Sequence, residues 1–132
     1  MVGTDEDELR AIAQTAYDAI NYGNLDDFLA VVTDDVEFTS LVAEAEGQTF
    51  RGHSGVRAWW ETVRASISEG RWEILEFEGQ DDRGVVHLRI SGTISDVPVE
   101  QTMWQAVRAR GGKASWWAFF RTEEEARAAA DL

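Results

Sequence analysis

Cysteine is absent from the 132 residues, which excludes disulfides, thiolate metal centres and thiol nucleophiles together. Proline occurs once, at Pro98, and lysine once, at Lys113. No linker, repeat or low-complexity stretch divides the chain, so it reads as one domain over residues 1–132. Apolar runs are short: none is longer than Trp116 to Phe120, far below the roughly 20 residues of a membrane span. Positive charge is scarce, with 12 basic residues against 25 acidic ones and a formal net charge of −13. Such a field repels phosphate backbones and anionic lipid, so neither nucleic acid nor membrane is expected as a partner. The opening Met1 to Glu6 has neither the basic nor the apolar region of a secretory signal, and the expectation is a cytoplasmic protein. Histidine is limited to His53 and His87, far apart in the chain, so no metal site is expected. With no phosphate-binding glycine loop either, no cofactor is expected.

What the chain does have is core material: 44% hydrophobic residues, six tryptophans and six phenylalanines. Leu9, Ile12, Ala13, Ala16, Tyr17 and Ile20 recur at helical spacing and predict a helix over roughly residues 5–22, with acidic residues in its first turn and Gly23 as its stop. Asn24 can cap a second helix from Leu25 to about Val32. Val36 to Leu41 reads as a first strand, and residues 42–53 as a loop with a short strand at Thr49 to Arg51. Ser54 suits the N-cap of a third helix with Val56, Trp59, Trp60, Val63 and Ile67 on its apolar stripe. Strands follow at Arg71 to Glu78, Gly84 to Ser91, Val97 to Arg108 and Ala114 to Arg121. Acidic or glycine turns separate them at 79–82, 92–96 and 111–112. A capped, alanine-rich helix closes the chain at 122–131. Helices and strands segregated in this way indicate an α+β fold, in the order α-α-β-(β)-α-β-β-β-β-α.

Both faces of the last hairpin are apolar. Met103, Val107, Trp117 and Phe119 lie on one side, and Trp104, Ala106, Trp116 and Phe120 on the other. A sheet covered by helices on one face only should be polar on the other. Exposed tryptophans make a costly, sticky patch, so the second face is expected to meet another subunit in a homodimer.

Several phrases, in order along nearly the whole chain, carry a family resemblance. They are Tyr17-Asp18-Ala19-Ile20-Asn21-Tyr22-Gly23-Asn24-Leu25-Asp26, Asp34-Asp35-Val36-Glu37-Phe38 and Phe50-Arg51-Gly52-His53-Ser54-Gly55-Val56, then Gly112-Lys113 and Glu124-Glu125-Ala126. With the element order, they resemble the nuclear-transport-factor-2-like superfamily in its SnoaL-like and ketosteroid-isomerase-like branch. The resemblance implies a cone, in which a curved antiparallel sheet wraps around the N-terminal helices and leaves an apolar pocket at its open end. It also implies that dimers form through the outer sheet face.

That scaffold hosts isomerases, cyclases, epoxide hydrolases, dehydratases and non-catalytic binders, so the residues must decide. A ketosteroid-type isomerase needs a carboxylate base, with a tyrosine and a protonated acid to stabilise the oxyanion. The resemblance aligns those positions with Ser40, Ala16 and Gln105, which leaves no base and only a fragment of the oxyanion site. Tyr17 is one residue from the tyrosine position, a step of about 100° around the helix. The nearest phrase to the Arg-x-Asp pair of epoxide hydrolases is Arg89-Ile90-Ser91, with serine where the acid should stand. For a SnoaL-type cyclase no acid faces the pocket, unless a shifted register brings in Glu73 or Glu37.

His53 precedes the third helix, where it either packs at the turn or reaches the pocket mouth as an acid–base group. His87 should lie opposite Glu76 with Arg89 two places along. These three form either a buried acid–base trio or a salt bridge that faces a dimer interface or solvent, and the apolar opposite face favours the latter. Candidate catalytic groups are therefore His53, Tyr17 and Gln105. Candidate ligand-lining groups are Ser40, Trp60, Met103, Gln105, Trp117 and Phe119, which suit a hydrophobic small molecule held by stacking and one or two hydrogen bonds. Three functions stay open: a non-catalytic small-molecule binder; an isomerase, cyclase or lyase acting on a hydrophobic polycyclic or secondary metabolite; or a pure dimerisation module, which predicts no cavity.

Overall fold

A computed structural model describes residues 6–40, 48–66 and 68–132. Its elements are α1 (Glu6–Tyr22), α2 (Leu25–Ala30), β1 (Val32–Thr39), β2 (Thr49–Arg51), α3 (Gly52–Ser66), β3 (Ser68–Gln80), β4 (Arg83–Ile94), β5 (Val97–Arg110), β6 (Lys113–Phe120) and α4 (Glu123–Ala130). This is the α+β order expected from the sequence. Leu41 and Ile67, expected on the first strand and the third helix, lie outside the described residues.

Helix α1 buries Leu9, Ile12, Ala13, Tyr17 and Ile20 on one face. It stops where Gly23 adopts φ +71°, a left-handed conformation that costs glycine little. There the Gly23 N–H donates to the Ile20 carbonyl at 3.2 Å and the Asn24 N–H to the Ala19 carbonyl at 2.8 Å, closing a Schellman motif. Asn24 caps α2 as expected, its Oδ1 accepting from the Asp27 N–H at 3.1 Å. Helix α2 is shorter than its apolar pattern suggests, because Val32 already belongs to β1. Helix α3 begins at Gly52 (φ +67°), so Ser54 falls in its first turn rather than at its cap.

The six strands form one sheet in the order β2-β1-β6-β5-β4-β3. All neighbours are antiparallel except β1 and β6, whose parallel pairing joins the first strand to the last. The hairpins turn tightly. Gln80 pairs with Arg83 around Asp81-Asp82, and Ile94 pairs with Val97 around Ser95-Asp96, both at positive φ. Register irregularities fall between Val32 and Glu37, between Ser68 and Arg71, between Ile74 and Glu76, and between Arg108 and Ala109. Such bulges bend and twist strands, and they curve this sheet toward the helices.

The concave face and helices α1 to α3 enclose the main core, which includes Val86, Leu88, Met103, Val107, Trp117 and Phe119 from the sheet. Helix α4 lies on the opposite face. There Ala126 and Ala130 pack with Val85 and Ala106, flanked by Trp104, Trp116 and Phe120. The second apolar face thus carries the chain's own C-terminal helix over part of its area. Arg127 ties that helix down by two bonds to the Glu78 carboxylate, at 2.6 and 3.0 Å. No helix among the described residues is long and apolar enough to cross a membrane.

Candidate functional site

The core holds a cavity of about 30 Å³, lined by Ala13, Ala16, Tyr17 and Ile20 of α1, Phe28 of α2, Trp59 of α3 and, on the sheet, Val107, Ala114, Gln105, Trp117 and Phe119, with Val31 and Val32 closing one side. Small residues make the room: Ala13 and Ala16 of α1 and Ala114 of β6 all line it. Aromatic rings take most of the rest of the cone. Phe38 stacks on Trp117 at 4.4 Å between centroids, Trp59 meets Phe38 edge-on at 5.5 Å, and Phe28 meets Trp117 edge-on at 5.8 Å. A space of this size is about that of one or two water molecules.

Its polar lining consists of one pair. Tyr17 projects from the buried face of α1 and Gln105 from the concave face of β5, and the Tyr17 hydroxyl donates to Gln105 Oε1 at 2.5 Å. Tyr17 is further fixed by Trp72, stacked on it at 5.7 Å and 20°. The Gln105 amide nitrogen makes no hydrogen bond among the described residues. That leaves an N–H donor and the phenolic lone pairs free within an otherwise apolar lining. Burial pushes the Tyr17 hydroxyl well above its ordinary value, since a phenolate would lack solvation there. Tyr17 is therefore a neutral hydrogen-bonding group at physiological pH and not a base.

The structure brings together Tyr17, Gln105, Trp117 and Phe119 of the groups singled out from sequence, and places the others elsewhere. Ser40 is fully buried, and its Oγ accepts from the Trp59 indole N–H at 3.0 Å. The position that aligns with a catalytic base is thus occupied by a hydroxyl that satisfies a core tryptophan. Trp60 sits edge-on to Phe28 at 5.7 Å, outside the lining. Met103 is buried beside Leu88 on the neighbouring strand, also outside it. His53 sits in the first turn of α3, its Nε2 3.4 Å from the Val32 carbonyl and 3.8 Å from Asp34 Oδ1. It bridges helix and strand and does not line the cavity.

Glu73 and Glu37 are turned to the outer face, in ion pairs with Arg89 at 3.2 Å and Arg51 at 3.3 Å. His87 does pair with Glu76 in register, but it stacks on Trp104 at 4.1 Å. The bulge at Leu75 puts Arg89 opposite Glu73 instead of beside Glu76. Leu75, at the bulge, is consequently 38% exposed.

Sequence reasoning missed Trp59, Phe28 and the small residues of the lining. The available signal was Ala13 and Ala16 beside Tyr17 on the helical stripe, small side chains where a filled core would use large ones. No described carboxylate or imidazole lines the cavity, and no described cluster of histidine and acidic residues could hold a metal ion.

No curated protein matches the chain. Solved structures match its fold at low identity. An NTF2-like protein of unknown function from Burkholderia pseudomallei is 21% identical, covering 95% of this chain and 98% of that one, with a TM-score of 0.76. A hypothetical protein with a ketosteroid isomerase-like fold from Catenulispora acidiphila, in complex with trimethylamine, is 19% identical over 92% of each chain, with a TM-score of 0.69. TerC, co-crystallised with polyporic acid, is 18% identical over 95% of this chain and 99% of that one, with a TM-score of 0.76. The fold of this chain is that of these NTF2-like and ketosteroid isomerase-like structures; residues 13–129 match the SnoaL-like domain, and the chain belongs to that family.

Proposed function

We propose that this SnoaL-like protein is a non-catalytic binder of a small apolar molecule, which it holds by a single polar end on Tyr17 and Gln105. The observation that carries this reading is the Tyr17–Gln105 bond in a cavity whose other walls are apolar. A ligand carbonyl can accept from the free Gln105 amide, and a ligand hydroxyl can donate to the Tyr17 oxygen, while Trp59, Trp117 and Phe119 supply stacking surface. Isomerisation, cyclisation and lyase chemistry at a carbon centre require a group that moves a proton, and the described lining offers only a neutral phenol and an amide. A single-ring guest needs on the order of 150 Å³ and a polycyclic one on the order of 300 Å³ or more, so the aromatic side chains move to admit either. Complexes of the same fold with trimethylamine and with polyporic acid support a scaffold that takes small organic guests.

Calorimetric titration with cyclohexanone and cyclohexanol tests the reading. Saturable binding that weakens about tenfold in both Tyr17→Phe and Gln105→Leu supports it. Binding that is indifferent to both substitutions, or no binding at all, contradicts it. For the assembly, we propose a homodimer through the part of the outer face that α4 leaves open. That area contains the stacked His87–Trp104 pair and half-buried Phe120.

A further inference from the structure

A second hollow lies immediately behind the cavity wall. It is a cleft of about 320 Å³ lined by Ile20, Asn21, Val63, Arg64, Glu69, Gly70 and Trp72. Its lining is mixed, with Asn21, Arg64 and Glu69 beside Ile20, Val63 and Trp72, and Trp72 is firmly held. The Asn21 amide clamps the backbone of Trp72 from both sides, Nδ2 donating to the carbonyl at 2.8 Å and Oδ1 accepting from the N–H at 2.7 Å. The guanidinium of Arg64 is held over the Trp60 ring, 5.7 Å from its centroid, and donates from Nη1 to the Ile20 carbonyl at 3.4 Å. That contact engages one of its five N–H donors.

Among the described residues the exposed Arg64 shares the lack of a carboxylate partner with Arg10, Arg57 and Arg108, and of these four it is the one that lines the cleft. Acidic residues outnumber basic ones 25 to 12. Arg51, Arg71, Arg83, Arg89, Arg110 and Arg127 each pair with a carboxylate. Arg64 has no carboxylate oxygen of a described residue within 4.0 Å, although Glu69 lines the same cleft. Glu69 is exposed, so water and salt screen its repulsion of a bound anion. The wall between cleft and cavity is one side chain thick: Ile20 lines both, and Trp72 stacks on Tyr17.

We infer that cleft and cavity are two ends of one binding site, and that its ligand is an apolar carboxylic acid whose carboxylate sits on Arg64. This rests on the binding role proposed for Tyr17 and Gln105, and adds the charge and length of the ligand. Trp72 and Ile20, the wall between the two hollows, turn aside for the ligand body, and the Tyr17–Gln105 pair meets its far end.

Calorimetric titration with 2-naphthoate and with its methyl ester tests the inference, since only the acid can form the charge-assisted pair. The acid is expected to bind about tenfold more tightly than the ester, and Arg64→Gln to abolish that advantage. Arg64→Lys should keep part of it, and Glu69→Gln should tighten the acid by about twofold. Circular dichroism of each variant checks that α1, which Arg64 touches, stays folded. Equal affinity for acid and ester, an Arg64→Gln variant that discriminates as before, or no binding of either overturns the inference. The reading of Tyr17 and Gln105 is judged separately by cyclohexanone, which carries no charge. Cyclohexanone binding that is lost in Tyr17→Phe and unchanged in Arg64→Gln leaves that reading standing even where the anion site fails.

Discussion

Tyr17 and Gln105 define what the site can and cannot do. Removing the phenol oxygen leaves the Gln105 carbonyl oxygen buried without its donor, so Tyr17→Phe should destabilise the fold by about 1–3 kcal/mol. Gln105→Leu removes the other partner, and the double variant should lose less than the sum of the two; urea denaturation of the cycle measures the coupling. Because burial raises the Tyr17 pKa, the protonated form is the one the fold stabilises. That contribution is complete below the unfolded tyrosine value of about 10 and is lost as pH rises through the higher folded value. A spectrophotometric alkaline titration should show one tyrosine ionising only together with loss of the circular dichroism signal. Gly84 offers a steric check: a Cβ there would lie 2.9 Å from Leu9 Cδ2 and 3.0 Å from the Glu78 carbonyl oxygen. Gly84→Ala should therefore cost about 1–3 kcal/mol, with thermal unfolding as the readout.

At the scale of elements, local pattern and long-range pairing divide what was legible. Caps and amphipathic stripes are local, so α1, the Asn24 cap and the Thr122 cap of α4, whose Oγ1 accepts from the Glu125 N–H at 3.2 Å, could be read directly. The start of β1 could not. Val32 joins the strand because it pairs with Ala114 of β6, and nothing near Val32 in sequence signals that partner. The same holds for the bulge at Leu75, which shifts Arg89 from Glu76 to Glu73. The site was legible to a similar extent: Tyr17, Gln105, Trp117 and Phe119 follow from strand alternation and helical spacing. Trp59 and Phe28 reach the cavity only through the crossing of three helices.

The docking of α4 is an electrostatic matter as well as an apolar one. Arg127 holds the Glu78 carboxyl below its ordinary value. This part of the docking is complete above the unfolded glutamate value, about 4.3, and is lost as pH falls through the lowered one. Hydrogen exchange should show α4 opening at acid pH before the core does, and Arg127→Met should reproduce that opening at neutral pH.

For the whole molecule, the family fold was legible because its phrases occur in order, while the state of its interior was not. Each aromatic residue reads as apolar, but only the assembled cone shows how Phe38, Trp59, Trp72 and Trp117 share the space and leave a small cavity. The outer face is likewise divided, part under α4 and part open beside Trp104. If the open part joins two copies, sedimentation velocity should give a dimer for the native chain and a monomer for Trp104→Glu, with unchanged circular dichroism.

The most direct test of the central claim follows the Gln105 side-chain amide in 15N–1H spectra, its signal identified by its loss in Gln105→Leu, while cyclohexanone is added. A saturable shift of that NH2 pair, accompanied by the Trp59 and Trp117 indole signals, is the predicted result. Saturable shifts confined to surface residues, with the Gln105 amide unmoved, would contradict the assignment of the cavity as the binding site.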